Sequence, residues 1–357
     1  MKILNLTYSI DTGCGWGRLT WEVVSRLMKR GYETSILTEI GSGSPLEQSI
    51  LGRSRHMFDN LFSIRRHIAA ADIVHEWETN PYAITGMFAG FGLKKKHVIT
   101  AAGAYSVQPL YNPKMKFIAK KVYENADRVL CISRYVKNEI DKVVENANTE
   151  VVTLGVDFDK FSGQRMVNTS EPFILSVGNL GNRKGYHVSI PAFAEVAKKI
   201  PNIKYLIAGA IDESFLKAFQ KLIAEYGLEN KVVFLGSLSD SELKKLYLSA
   251  SLFILTSINY QHHFEGYGLV FLEAASAGLP VVGTLNNGIE DAVDNRKNGI
   301  LVPQNDIQAT ASAMLEILTN PQIERDYSEN GIEWAKANSW EKVADEYAKC
   351  YQVLSEG

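Results

Sequence analysis

The stretch FEGYGLVFLEAASAGLPVVGT (264–284) holds two carboxylates, Glu265 and Glu273, with seven residues between them. Gly266 and Gly268 precede a run of good helix formers, so a helix is expected from near Tyr267. The backbone N–H groups of Gly268 and Leu269 then lie at its amino end, where the helix dipole and unpaired donors favour an anion such as a diphosphate. Glu265 stands before the helix and Glu273 about two turns along it. A carboxylate can accept hydrogen bonds from two neighbouring hydroxyls, so one such group on either side of a diphosphate suits a sugar at one end and a ribose at the other.

Working outward, LFILTS (252–257) precedes this helix and PVVGT (280–284) follows it, the pattern of strand, helix and parallel strand. The same alternation runs through the chain in two sets. One comprises 2–9, 33–39, 72–77, 97–103, 128–133 and 150–156; the other 173–179, 204–210, 231–237, 252–257, 280–284 and 299–303. Between them DFDKFSGQRMVNTSEP (157–172) is polar and has neither period, and is read as a linker. The expectation is an α/β chain of two doubly wound domains, 1–165 and 166–339. Ligands bind at the carboxyl ends of the strands in such sheets, so facing domains would enclose a central cleft. The segment SWEKVADEYAKCYQVL (339–354) is amphipathic at helical spacing.

The 264–284 segment resembles the Glu-x7-Glu signature of the retaining GT-B glycosyltransferases, specifically glycosyltransferase family 4. The likeness extends to the opening strand and glycine loop, to VVTLGVDFDKF, SVGN…RKG and VVFLGSLSDSEL, and to the closing helix at SWEKVA. It implies a Rossmann-like acceptor domain at 1–165, with the closing helix 340–357 packing back on it, and a sugar-nucleotide domain at 166–339. It further implies metal-independent, configuration-retaining transfer of a hexose-type unit from a UDP- or GDP-linked sugar. The acceptor would be a saccharide or lipid-linked saccharide in surface polysaccharide assembly. No cofactor is expected.

By the same resemblance, Glu265 contacts the donor sugar, Glu273 holds the ribose, and Gly266, Tyr267, Gly268 and Leu269 bind the diphosphate through backbone. Lys184, in GNLGNRKG (178–185), is the phosphate-binding lysine, and Leu238 lies where the base is read. Gly15 and Trp16, in TGCGWGR (12–18), approach donor and acceptor; read alone, that loop also suggests a dinucleotide fingerprint with Glu39 as ribose ligand. Two places depart from the family. Ala102 replaces a histidine in 100–103, and Asn179 replaces an arginine, with Arg183 expected to supply the missing charge. His75, Gly103 and Tyr105 are acceptor-side candidates, and His262 and His263 border the sugar in this reading. Rival readings are a sugar-nucleotide epimerase, a non-catalytic sugar-nucleotide-binding partner and a NAD-linked oxidoreductase.

Composition fits this picture. The 357 residues are 46% hydrophobic and 22% charged, as in ordinary globular proteins. Residues 1–170 carry 22 Lys and Arg against 17 Asp and Glu, and the remainder 16 against 23, so the halves are +5 and −7. The basic groups cluster at Arg53/Arg55, Arg65/Arg66, Lys94 to Lys96, and Lys114, Lys116, Lys120 and Lys121. Solvated helix faces account for such clusters, and so does attraction to an anionic membrane surface or an acidic acceptor. No basic motif interleaved with aromatics appears, so nucleic acid is not an expected partner. Cys14, Cys131 and Cys350 are far apart and odd in number, which supports neither a disulfide framework nor a zinc site. The opening residues are too short an apolar run for a leader or a membrane span, so a cytoplasmic protein is expected.

Overall fold

The computed structural model describes residues 1–52, 56, 58–167 and 170–356; the basic pair Arg53/Arg55 falls outside them. The chain divides into two compact units, Met1–Leu154 with Trp340–Gly357, and Gly155–Ser339.

The first unit contains a seven-stranded sheet of β1 (Lys2–Thr7), β2 (Glu33–Thr38), β3 (Glu47–Ser49), β4 (Ile73–Trp77), β5 (Lys96–Ala101), β6 (Arg128–Cys131) and β7 (Thr149–Val151). Its order is β3-β2-β1-β4-β5-β6-β7, with every pairing parallel. The second unit contains β8 (Phe173–Val177), β9 (Lys204–Ala208), β10 (Val232–Gly236), β11 (Leu252–Ile254), β12 (Val281–Thr284) and β13 (Gly299–Val302), in the order β10-β9-β8-β11-β12-β13 and again parallel. Helices cover both faces of such sheets, which is why the central strands are unbroken apolar runs rather than alternating ones. Ile3, Leu4 and Leu6 of β1 are buried, as are all five residues of β4. The short β3 is polar, Glu-Gln-Ser, and carries no apolar signal; it forms as an edge strand against β2 alone.

Each sheet reverses its strand order once, between β1 and β4 in the first unit and between β8 and β11 in the second. Loops leaving the carboxyl ends of those neighbouring strands diverge to opposite faces, and the crevice this leaves is where doubly wound sheets bind ligands.

The boundary expected at 165/166 moves to 154/155. Residues 155–165 belong with the second unit because the short helix Phe158–Phe161 anchors there. Phe161 packs edge-on against Tyr247, Lys160 pairs with Asp240, and Lys336 lies over the Phe158 ring. Asp157 caps that helix by accepting from the Lys160 N–H at 3.3 Å. The closing helix Trp340–Glu356 joins the first unit, where Arg26 of helix Gly15–Lys29 and Arg30 at its end bond Glu341 and Asp345.

Candidate active site

A half-buried cluster of charges lies at the switch point of the second sheet. β8 runs into the glycine-rich loop 178–185, whose end is a single turn, Asn182–Lys184. Gly185 follows at φ +72°, and a Cβ there would stand 1.7 Å from the Thr256 carbonyl oxygen, so only glycine lets this loop close onto the one after β11. The Thr256 hydroxyl donates to Gly185 O at 2.7 Å and the Ile258 N–H to Arg183 O at 2.8 Å. Two loops from distant parts of the chain are thereby stitched together.

Their side chains meet at Glu265. One carboxylate oxygen, Oε2, accepts from Arg183 Nη1 at 2.6 Å, from Lys184 Nζ at 2.8 Å and from the Ser257 hydroxyl at 3.1 Å. Burial works against ionisation of Glu265, but the two cations overcome it and hold its carboxyl at about 2. Burial pulls the Lys184 ammonium below its ordinary value while Glu265 pulls it back. The carboxylate is therefore charged at neutral pH and accepts hydrogen bonds rather than donating a proton.

The helix after Glu265 runs from Leu269 to Ser276, two residues later than expected, because Gly268 stands at φ +86° as its N-cap. Gly266 is half-buried and its carbonyl leaves no room for a Cβ on Gly288, whose N–H donates to Glu265 O at 2.9 Å. The Tyr267 ring is buried. Glu273 is also buried and accepts from the Tyr247 hydroxyl at 3.0 Å. Asn179 turns its side chain to the loop after β9, accepting from Ala210 N–H at 3.0 Å. Leu238 is half-buried beyond β10, just ahead of a capping box formed by Ser239 and Glu242. His262 and His263 sit in an exposed tight turn, with Gln261 and His262 at positive φ and Tyr260 and His263 bonding reciprocally.

In the first unit the loop after β1 brings Trp16 onto Tyr105, edge to face with centroids 4.8 Å apart, and onto Tyr8 at 5.9 Å. Gly103 precedes the helix Ala104–Tyr111 that carries Tyr105. Gly15 has nothing within 4 Å of an added Cβ; the glycine this loop requires is Gly17, where a Cβ would stand 2.1 Å from Asp11 O. Cys14 caps the helix by accepting from Gly17 N–H, and Glu39 is engaged by the Tyr82 hydroxyl.

His75 is a correction. It lies in mid-strand, fully buried, stacked on Trp77 at 4.3 Å and beside Tyr347 at 5.6 Å. Nδ1 bonds the Tyr351 hydroxyl at 2.5 Å and Nε2 the Thr100 hydroxyl at 2.8 Å, so both ring nitrogens are used and none is left for an acceptor. Burial holds its pKa down at about 3, which keeps the ring neutral.

Comparison with known proteins agrees with the geometry. The family described as glycosyl transferases group 1 matches residues 157–334, and glycosyltransferase family 4 matches 14–160. The chain belongs to these glycosyltransferases. It is 30% identical over 253 residues to the D-inositol 3-phosphate glycosyltransferase of Corynebacterium urealyticum, covering 66% of this chain and 58% of that one. It is 25% identical over 289 residues to the GDP-mannose-dependent alpha-(1-6)-phosphatidylinositol monomannoside mannosyltransferase of Mycolicibacterium smegmatis, covering 77% and 75%. The fold is that of Anabaena HepE, solved in complex with UDP and glucose, at a TM-score of 0.82 and 18% identity over 99% of this chain and all of that one.

In this glycosyltransferase the neutral residues that support Glu265 were not legible beforehand. Ser257 donates to it, and the Ser257 carbonyl accepts from the Thr284 hydroxyl at 2.6 Å, while buried Asn287 bonds Thr284 at 2.9 Å. The available signal was the pair of polar residues Thr256 and Ser257 ending an apolar strand, which by itself is common.

Proposed function

We propose that this glycosyltransferase moves a hexose-type sugar from a UDP- or GDP-linked donor to a saccharide or lipid-linked saccharide, with retention of configuration and without a metal ion, in surface polysaccharide synthesis. The observation that carries this reading is the convergence of Lys184 and Arg183 on Glu265 at the switch point. Two cations beside the amino end of helix Leu269–Ser276 suit a departing diphosphate, whose charge they would stabilise in the transition state. On donor binding the cations turn to phosphate and the ionised Glu265 is released to accept from a sugar hydroxyl. Glu273 and Leu238 serve the ribose and base, Gly15 and Trp16 approach donor and acceptor, and Gly103 and Tyr105 serve the acceptor. In the retaining course the leaving diphosphate takes the acceptor proton on the same face of the sugar. The similarity to proteins named for GDP-mannose use, or solved with UDP, supports the donor class.

A peripheral membrane contact at the cytoplasmic face is part of the proposal. Among the described residues no helix is long and apolar enough to cross a membrane. Phe62, Phe91 and Phe117 are nonetheless 86%, 82% and 76% exposed, on segments that also carry Arg66, Lys94, Lys116 and Lys121. Exposed phenylalanines among cations suit an anionic bilayer surface.

The test is product analysis. The protein is incubated with UDP-glucose or GDP-mannose and saccharide acceptors, with and without EDTA, and the new anomeric centre is read by proton NMR. An inverted product overturns the retaining course, and loss of transfer in EDTA restored by a divalent ion overturns metal independence.

A further inference from the structure

In the second unit the loops flanking the switch point carry Lys184 after β8 and Glu265 after β11. The matching positions in the first unit are the loop after β1, with Trp16, and the residue that follows β4, which is Glu78. Glu78 is only 5% exposed. Its Oε2 accepts from the Ser106 hydroxyl, and its buried Oε1 has no hydrogen-bond partner among the described residues. Among the described residues it makes no ion pair. Where Glu265 is held by two cations, Glu78 has none.

Its backbone is also unfavourable. At φ 98° and ψ 150° it occupies a region that glycine enters readily and other residues do not. A buried, half-satisfied carboxylate on a strained backbone weakens a fold, and such features persist where they serve a site. The surroundings are aromatic. Glu78 lines, with Tyr8, Trp16 and Ala102, a recess of about 10 Å³, space for about one water-sized group. Trp16 leads from there to the half-exposed Tyr105 ring.

We propose that Glu78 is the residue through which the first unit binds a sugar hydroxyl, with Trp16 and Tyr105 as the aromatic wall beside it. The proposal rests on the glycosyl-transfer reading above. A hydroxyl both donates and accepts, so it can complete the bonding of Oε1 whether the carboxyl is charged or neutral. Burial pushes that carboxyl up to about 8, against the opposing hydrogen bond from Ser106. Binding a hydroxyl there makes a bond that folding left unmade. The sugar is either the donor's or the acceptor's, and these two sources separate in the assay.

The test compares wild type with Glu78→Gly, which relieves the backbone, and Glu78→Gln, which keeps the shape. Nucleoside diphosphate release from UDP-glucose and from GDP-mannose is followed with water alone and with methyl α-glucoside, α-mannoside and α-galactoside. Thermal melting and binding of UDP and GDP are followed alongside. The expected result is that Glu78→Gly melts no lower than wild type and binds nucleotide equally, yet loses about tenfold to a hundredfold in kcat/KM. Glu78→Gln recovers part of that loss. Loss confined to the glycoside arms assigns the hydroxyl to the acceptor; loss in the water arm as well assigns it to the donor sugar. Equal rates in every arm that wild type supports, or a lower melting point as the only effect in both variants, overturns the proposal. Wild type that binds nucleotide but cleaves no donor overturns the transfer reading and this inference with it. If Glu78 alone is misassigned, Lys184→Ala remains impaired while Glu78 variants do not.

Discussion

Lys184 and Glu265 are 81 positions apart in the chain and 2.8 Å apart in space, and each is almost enclosed, with side-chain exposures of 15% and 13%. A charge buried this far is tolerable only while it is paired, and removing Glu265 would leave Lys184 desolvated beside a second cation, Arg183. The pair thus stores the charges that a diphosphate and a sugar would later use.

Lys184→Ala should weaken UDP or GDP binding by about tenfold or more, the loss expected for one charge-assisted hydrogen bond of about 1.5–3 kcal/mol. Arg183→Ala should weaken it too, and to a smaller extent, since its side chain is 35% exposed and better screened. Isothermal titration with each nucleotide measures both, and unchanged affinity in either variant removes that residue from the diphosphate site.

Glu265 gives the fold a defined acid dependence. Its carboxyl is lowered from 4.5 to about 2 in the folded state, so the unfolded chain binds the proton more readily. The stabilisation is fully present above about pH 4.5 and is lost as pH falls towards 2. Melting of wild type and Glu265→Gln should differ most near neutrality, where the variant leaves two cations facing an amide, and the difference should shrink between pH 4.5 and 2. A gap that stays constant across that range contradicts the ion cluster.

Two glycines of the first loop, Gly15 and Gly17, should behave oppositely. Gly17→Ala forces a Cβ to within 2.1 Å of Asp11 O and should lower the melting point by several degrees, whereas Gly15→Ala meets nothing within 4 Å and should melt as wild type. The same contrast in donor turnover would show that loop closure, rather than a bare glycine beside the ligand, is what the motif supplies.

His75→Ala should cost about 3 kcal/mol in unfolding free energy, from a cavity beside Trp77 and Tyr347 and two hydroxyls deprived of a partner, while leaving the acceptor KM unchanged. With a folded pKa of about 3 against an ordinary 6.5, wild-type His75 contributes stability that is present above pH 6.5 and lost as pH falls towards 3. Urea unfolding at several pH values checks the slope.

Phe62→Ser combined with Phe91→Ser should reduce co-sedimentation with phosphatidylserine vesicles without lowering the melting point, since both rings are exposed. Retained binding in the double variant would leave the basic residues as the whole attraction, and binding that is also insensitive to salt would remove the membrane surface from the proposal.

The residues that announced the fold are those whose message is local. Apolar runs such as FILSV in β8 and KILNLT in β1 read as buried parallel strands because both faces of each strand are covered. The segment 264–284 placed Glu265 before a helix and Glu273 within it because both positions follow from a strand, a glycine turn and a 3.6-residue period. The capping box at Ser239 is equally local, since four residues span it. What needed the tertiary structure was every relationship between loops from different strands. Arg183 and Lys184 could be read as phosphate ligands, but their grip on Glu265 arises only because the loops after β8 and β11 emerge side by side. His75 looked like a ligand at a strand end until the closing helix, some 270 residues on, supplied Tyr351 and Tyr347 to bury it. Glu78 carried no sequence signal beyond its place at the end of the apolar run 72–77. Its unpaired oxygen and strained backbone are properties of the environment that β1, β4 and β5 create together, and a sequence pattern records the order of residues rather than which of them are left without a partner.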